Sequence, residues 1–100
     1  MQYVVDAARA FSETYEREFV NLLDGLVGVD KGDELAHDSA RYQANEILTE
    51  WQSAMSQLQD AFQPQLAGEQ PSASRIHFLQ QELEHVCATG RRHYWQRGAA

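Results

Sequence analysis

Apolar side chains recur every three or four residues along three separate stretches of the chain. In the first stretch this spacing predicts a helix over roughly residues 3–23, with one apolar side and an opposite side of charged residues. The apolar positions are Val4, Ala8, Phe11, Tyr15, Phe19, Leu22 and Leu26. Gly25, Gly28 and Gly32 follow close together, and this density of permissive backbone predicts that the helix ends in a turn.

The second and third stretches show the same helical spacing. A cap at Asp33 or Asp38 is predicted to begin the second helix, and Pro64 is predicted to stop or kink it. A cap at Ser72 or Ser74 is predicted to begin the third helix. The apolar positions are Ala40, Ala44, Ile47, Trp51, Met55, Leu58 and Phe62 in the second helix, and Ile76, Leu79, Leu83, Val86 and Tyr94 in the third.

The fold class follows from this pattern and from the near absence of strand signals. No run of alternating β-branched residues occurs, and the connectors between the helical stretches are short and polar. Short connectors imply that successive helices are antiparallel neighbours. The sequence therefore predicts one all-α domain over residues 1–100, with three helices in an up-down-up arrangement, two of them long and antiparallel.

Gly90 falls at an apolar position of the third helix, where it either permits a close contact or weakens the last turn.

Large apolar side chains are more numerous than three helices of this size are expected to bury, because a domain of 100 residues buries only about two-thirds of its unfolded surface. We therefore predict a homodimer that forms a helical bundle, and a surface for a protein partner. The predicted dimer interface is Ile47, Trp51, Met55, Leu58, Phe62, Leu79, Leu83 and Val86. The predicted partner-binding residues are Phe11, Tyr15, Phe19, Leu22, Tyr94 and Trp95. The alternative for the aromatic residues of helix one is an ordinary core position.

Charge restricts the class of partner. The net charge is −7, with −9 on residues 1–70 and +2 on residues 71–100. Nucleic-acid affinity comes chiefly from clustered Lys and Arg, so the acidic body predicts no direct nucleic-acid binding. Residues 91–97 mix cations with aromatic side chains. This segment completes the core and the end of a helix, docks on an acidic partner or, as the last alternative, binds nucleic acid by stacking and charge.

The sequence also predicts a cytoplasmic protein without a membrane span. No apolar run approaches the roughly 20 residues that cross a bilayer, and residues 1–10 lack a basic start followed by an apolar stretch. Cys87 is the single cysteine, so the chain forms no intramolecular disulfide, which fits a reducing compartment. We interpret Cys87 as a small buried apolar residue.

Two Glu-x-x-His motifs, Glu34 with His37 and Glu82 with His85, are the strongest chemical pattern, since paired motifs of this kind build di-iron sites in ferritin-like bundles. If the last two helices fold back about Gly68, however, Glu82 lies level with Met55 and roughly 30 Å from Glu34. The charged residues of both motifs are then solvated. We predict no catalytic site, no cofactor and no metal, and hence a protein that is not an enzyme.

Three segments in order resemble the TraM-type quorum-sensing antiactivators and the related QslA-type proteins. They are residues 22–28 (LLDGLVG) with 33–35 (DEL), the helix 40–48 (ARYQANEIL), and the helix start 76–79 (IHFL), and the similar layout covers about residues 22–95. The resemblance implies a bacterial helical homodimer that binds a LuxR-type transcription factor and prevents its action on DNA. The alternatives are a small helical secretion chaperone, which shares the acidic helical character, and a ferritin-like metal protein.

Overall fold

Three helices form the fold in the computed structural model, which describes residues 2–69 and 71–93. Helix α1 spans Gln2–Leu26, α2 spans Glu34–Ala61 and α3 spans Ala73–Thr89. No strand occurs within these described residues. The predicted all-α three-helix class is confirmed. Tyr94, predicted as a core position, lies outside the described residues.

Side-chain and glycine caps explain where the helices begin and end. Asp33 Oδ1 accepts a hydrogen bond from the Ala36 N–H over 3.0 Å, and Ser72 Oγ accepts one from Arg75 over 3.1 Å, so Asp33 and Ser72 are the caps of α2 and α3. Gly90 ends α3 with a φ of +73°, a left-handed conformation that favours glycine. Its carbonyl accepts the Gly28 N–H over 2.9 Å and so joins the ends of α1 and α3.

Cross-helix bonds show how the helices are aligned. The Trp51 Nε1–H of α2 donates to Ser12 Oγ of α1 over 2.7 Å. Arg75, at the start of α3, pairs with Glu16 in the middle of α1. Since Gly90 meets the end of α1, α3 runs parallel to the second half of α1. The start of α1 and the end of α2 extend beyond α3.

The alignment of α3 with α2 differs from the prediction. Arg41 Nε donates to Glu84 Oε2 over 2.8 Å, so Glu82 lies level with the first half of α2 and the predicted pairing with Met55 is wrong. The cause is the connector, which is not a tight turn. It runs back along α1, where Glu69 pairs with Arg9 at 2.6 Å, and carries the start of α3 past about three turns of α2.

The hydrophobic core lies between the three helices and extends under the connector. Phe19, Leu23 and Leu66 are fully buried. The sequence prediction did not include Leu23 among the apolar positions of α1, and it assigned Leu66 to the connector rather than to the core. The remaining buried apolar residues are Ala8, Leu26, Ala40, Ala44, Leu48, Trp51, Met55, Leu79, Leu83, Val86 and Cys87.

Candidate protein-interaction surface

An apolar groove lies where α1 and α2 extend beyond α3. It encloses about 410 Å³, and we call it the end groove. Its lining residues are Tyr3, Val4, Ala7, Ala8, Phe11, Leu58, Phe62 and Leu66. None of these eight side chains is charged, so a ligand of this groove meets apolar surface and aromatic rings.

The connector closes the floor of the end groove. Gln59 Nε2 donates to the Leu66 carbonyl over 2.9 Å, and the Leu66 N–H donates to the Phe62 carbonyl over 3.3 Å. These bonds hold Leu66 against the end of α2, where its side chain is fully buried. The groove is therefore built on a core residue that the structure already fixes in place.

The aromatic walls of the end groove remain accessible. Tyr3 is 74% exposed, Phe11 43% and Phe62 42%, whereas an aromatic residue in a core is almost entirely covered. The Phe11 and Tyr15 rings make an edge-to-face contact with centroids 5.3 Å apart, which favours this orientation of Phe11. Exposed aromatic side chains grouped on one surface are typical anchors of protein interfaces.

The predicted partner-binding residues divide into three groups. Phe11 lines the end groove, and Tyr15 and Leu22 are half-buried. Phe19 is completely buried, so its prediction as a partner contact is wrong, because α1 turns this side chain into the core. Tyr94 and Trp95 lie outside the described residues.

Most of the predicted dimer interface is covered within a single chain. Trp51, Met55, Leu79, Leu83 and Val86 are buried in the core, so they reach a second copy only if the helices separate. Helix α1 packs against the second and third helices and covers their apolar sides within the same chain. Of the other predicted dimer residues, Ile47 and Leu58 are half-buried and Phe62 is exposed.

Sequence reasoning did not single out Tyr3, Ala7 or Leu66 for the groove. Tyr3 and Ala7 stand eight and four residues before Phe11, so helical spacing alone places all three on one side of α1. This signal was available in the sequence. No comparable signal existed for Leu66, because its position depends on how the connector returns.

A second cluster, of charged and polar side chains, ties the chain after α3 to α1. Glu82 is only 1% exposed, so its prediction as a solvated residue is wrong. Its carboxylate accepts the His93 N–H over 2.9 Å and contacts His93 Nδ1 at 2.7 Å. Arg92 is also buried and reaches Asp24 of α1 at 2.8 Å and Glu82 at 3.7 Å. The His85 and His93 rings stack with centroids 3.5 Å apart.

Partners rather than burial determine the protonation of Glu82. Burial by itself raises the pKa of this carboxyl, but the hydrogen bonds from His93 and the charges of His93 and Arg92 outweigh burial and hold the pKa below its usual value. In the same direction, the hydrogen bond from Arg41 lowers the pKa of Glu84. Both groups are therefore acids whose folded-state pKa is depressed.

Acid is expected to destabilise the protein through Glu82. A depressed folded-state pKa stabilises the fold fully above the unfolded value of about 4.3, and this stabilisation is lost as the pH falls through the folded value. We expect urea unfolding at a series of pH values to show a free energy of unfolding that decreases as the pH falls below about 5. The variant Glu82→Gln should show a shallower decrease. Equal slopes for the two proteins would contradict this assignment.

A polar cleft between the start of α2 and the end of α3 is lined by residues that include Cys87 and His37. Three of its charged side chains are partnered, since Arg41 bonds both Asp38 and Glu84 at 2.9 Å or less. Burial raises the pKa of the Cys87 thiol, which keeps it in the unreactive protonated form. Within residues 2–69 and 71–93, no three His, Cys, Asp or Glu side chains are grouped so that they could hold a metal ion.

Comparisons with known proteins identify no relative. No protein-family model matches this chain, and no curated protein or solved structure matches it. Within the described part of the chain, no helix is both long enough and apolar enough to cross a bilayer.

Proposed function

We propose that this chain is a non-enzymatic regulator that acts by binding another protein through the end groove. The observation that carries the proposal is the group of exposed aromatic residues, Tyr3, Phe11 and Phe62, around an apolar depression. A folded domain gains nothing in stability from leaving such side chains in water. Covering them with a partner removes apolar area from water and so favours a complex.

The partner that we propose is a LuxR-type transcription factor, bound in the cytoplasm so that it no longer acts on DNA. The proposal rests on the resemblance of residues 22–28, 33–35, 40–48 and 76–79 to the TraM-type antiactivators. The charge of the chain supports it. A net charge of −7 repels DNA and attracts the basic surface by which a transcription factor binds DNA.

The experiment is a binding assay between the purified chain and the LuxR-type regulators encoded in the same genome. Size-exclusion chromatography should show a complex with the wild-type chain, and the double variant Phe11→Asp/Phe62→Asp should abolish it. Leu35→Asp is the matched control, because Leu35 is 83% exposed and belongs to the opposite end of α2. Absence of a complex between the wild-type chain and every such regulator would reject the antiactivator.

The oligomeric state of the isolated chain belongs to the same proposal. Of the predicted dimer interface, only Ile47, Leu58 and Phe62 are accessible to a second copy while the core stays intact, so the homodimer that we propose uses these residues. Sedimentation equilibrium of the wild-type chain and of Phe11→Asp/Phe62→Asp tests this arrangement. A dimer that is lost in the double variant would assign the end groove to a second copy.

A further inference from the structure

We infer that the end groove receives one basic amphipathic helix of about three turns, contributed by the partner. This inference rests on the proposed function and names the chemistry of the bound segment. It follows from three properties of the described residues: the dimensions of the groove, the helical nature of both its walls, and the distribution of charge on the two helices that form it.

The dimensions fit a short helix. From Tyr3 to Phe11 the groove follows eight residues of α1, a length of about 12 Å. Apolar side chains at positions i, i+3 or i+4, and i+7 of a bound helix span about 10 Å, which matches that length. A helix of about three turns therefore places three apolar side chains along the aromatic wall.

The walls of the groove exclude an added strand. Both are α-helices, whose backbone N–H and carbonyl groups are bonded within the helix except in the terminal turns, so the groove offers no continuous open edge to pair with an extended peptide. A helix needs no such backbone pairing, since it buries side chains alone. Helix α3 has 17 residues and α2 has 28, so α3 does not cover the end of α2. A bound helix can therefore pack there without competing with a third helix.

The charge of the two long helices selects a basic segment. Residues 1–70, which include both helices, contain 13 Asp and Glu against 4 Lys and Arg. Arg75 and Arg92, from outside this region, pair with Glu16 and Asp24, and Arg9 pairs with Glu69, so three of the 13 acids are neutralised and the excess of acidic charge remains. Cations on the solvent side of a bound helix thus lie in a negative potential. A second copy of this chain carries the same net charge of −7 and is disfavoured by repulsion.

The test uses synthetic peptides of about 14 residues with a fluorescent label. The first peptide carries leucine at the i, i+3, i+4 and i+7 spacing and lysine at the other positions, and the second has glutamate in place of lysine. A third peptide has the composition of the first with the leucines redistributed around the helix. Binding to the full-length chain is measured by fluorescence anisotropy, and circular dichroism records helix formation.

We expect the leucine–lysine peptide to bind as a helix, at least about tenfold more tightly than either of the other peptides. Its affinity should fall at least about tenfold with Phe11→Asp/Phe62→Asp and stay within about twofold with Leu35→Asp. The added aspartates attract a basic peptide, so a loss of affinity reports the lost apolar contact. Circular dichroism of the unbound variants verifies that both remain folded.

Several outcomes would overturn the inference. They are failure of the leucine–lysine peptide to bind, equal binding of the lysine and glutamate peptides, and equal binding to the wild type and the groove variant. A dimer lost in the groove variant would replace the partner helix by a second copy. If a LuxR-type regulator binds the wild type and Phe11→Asp/Phe62→Asp equally, the regulator proposal survives and the groove assignment fails. If peptides bind in the groove but no regulator binds, the groove assignment survives and the regulator proposal fails.

Discussion

Replacing Phe19 by alanine is expected to lower the free energy of unfolding by about 3–5 kcal/mol. Phe19 is 0% exposed and belongs to the set of largest fully buried side chains. Its truncation removes a ring from the core and leaves a cavity that the surrounding helices fill only in part. Since a domain of this size is stable by only about 5–15 kcal/mol, the loss is a large fraction of the total. Urea unfolding followed by far-UV circular dichroism measures it.

The matched control is Phe11→Ala, which changes the same residue type two helical turns earlier on α1. Phe11 remains exposed in the end groove, so its truncation should cost less than about 1.5 kcal/mol of folding stability. Partner binding should show the opposite order, because Phe11→Ala is expected to weaken it more than Phe19→Ala does. A similar loss of stability in both variants would contradict the distinction between core and groove.

Replacing Arg92 by methionine is expected to destabilise the protein by about 1–3 kcal/mol. The Glu82 carboxylate is buried, and Arg92 is the cation that links it to Asp24 of α1. Methionine occupies much of the space of the arginine stem but leaves the buried carboxylate without that charge. Urea unfolding at neutral pH measures the change, and the acid dependence assigned to Glu82 should become weaker.

Two comparisons make the Arg92 result interpretable. Arg75→Met breaks the more exposed pair between Arg75 and Glu16, which is worth about 0–1 kcal/mol. The double variant Glu82→Gln/Arg92→Met removes both buried charges and should be more stable than Arg92→Met alone. Equal losses for Arg92→Met and Arg75→Met would show that burial of the Glu82 cluster has no energetic effect.

Local interactions made much of the fold predictable. The Asp33 and Ser72 caps act through bonds to residues three positions later, so a short window of sequence contains them. The apolar spacing of α2 identified Ala40, Ala44 and Met55, which the structure buries. Helical spacing shows which side of a helix is apolar. It does not show how far the neighbouring helix extends along that side, and for this reason Phe19 and Phe11 were predicted alike.

Part of the candidate surface could also be read from the sequence. Phe11 was assigned to partner binding, and the structure places it in the end groove. The assignments of Trp51, Met55, Leu79, Leu83 and Val86 to a dimer interface relied on their apolar character, which core and interface residues share. The buried position of Glu82 had no local signal, because Arg92 and His93 reach it only after the chain turns at Gly90.

The amino-acid sequence by itself determined the helical class, the number of helices, two candidate caps for each of α2 and α3, and the acidic character of the two long helices. These properties depend on hydrogen bonds and side-chain spacing within a few residues. Only the tertiary structure decided that the connector returns along α1, that α3 is displaced from the end of α2, and that Phe11 and Phe62 remain exposed while Phe19 is covered. Those outcomes depend on contacts between residues distant in the chain, and the apolar spacing of one helix carries no information about where its neighbour stops.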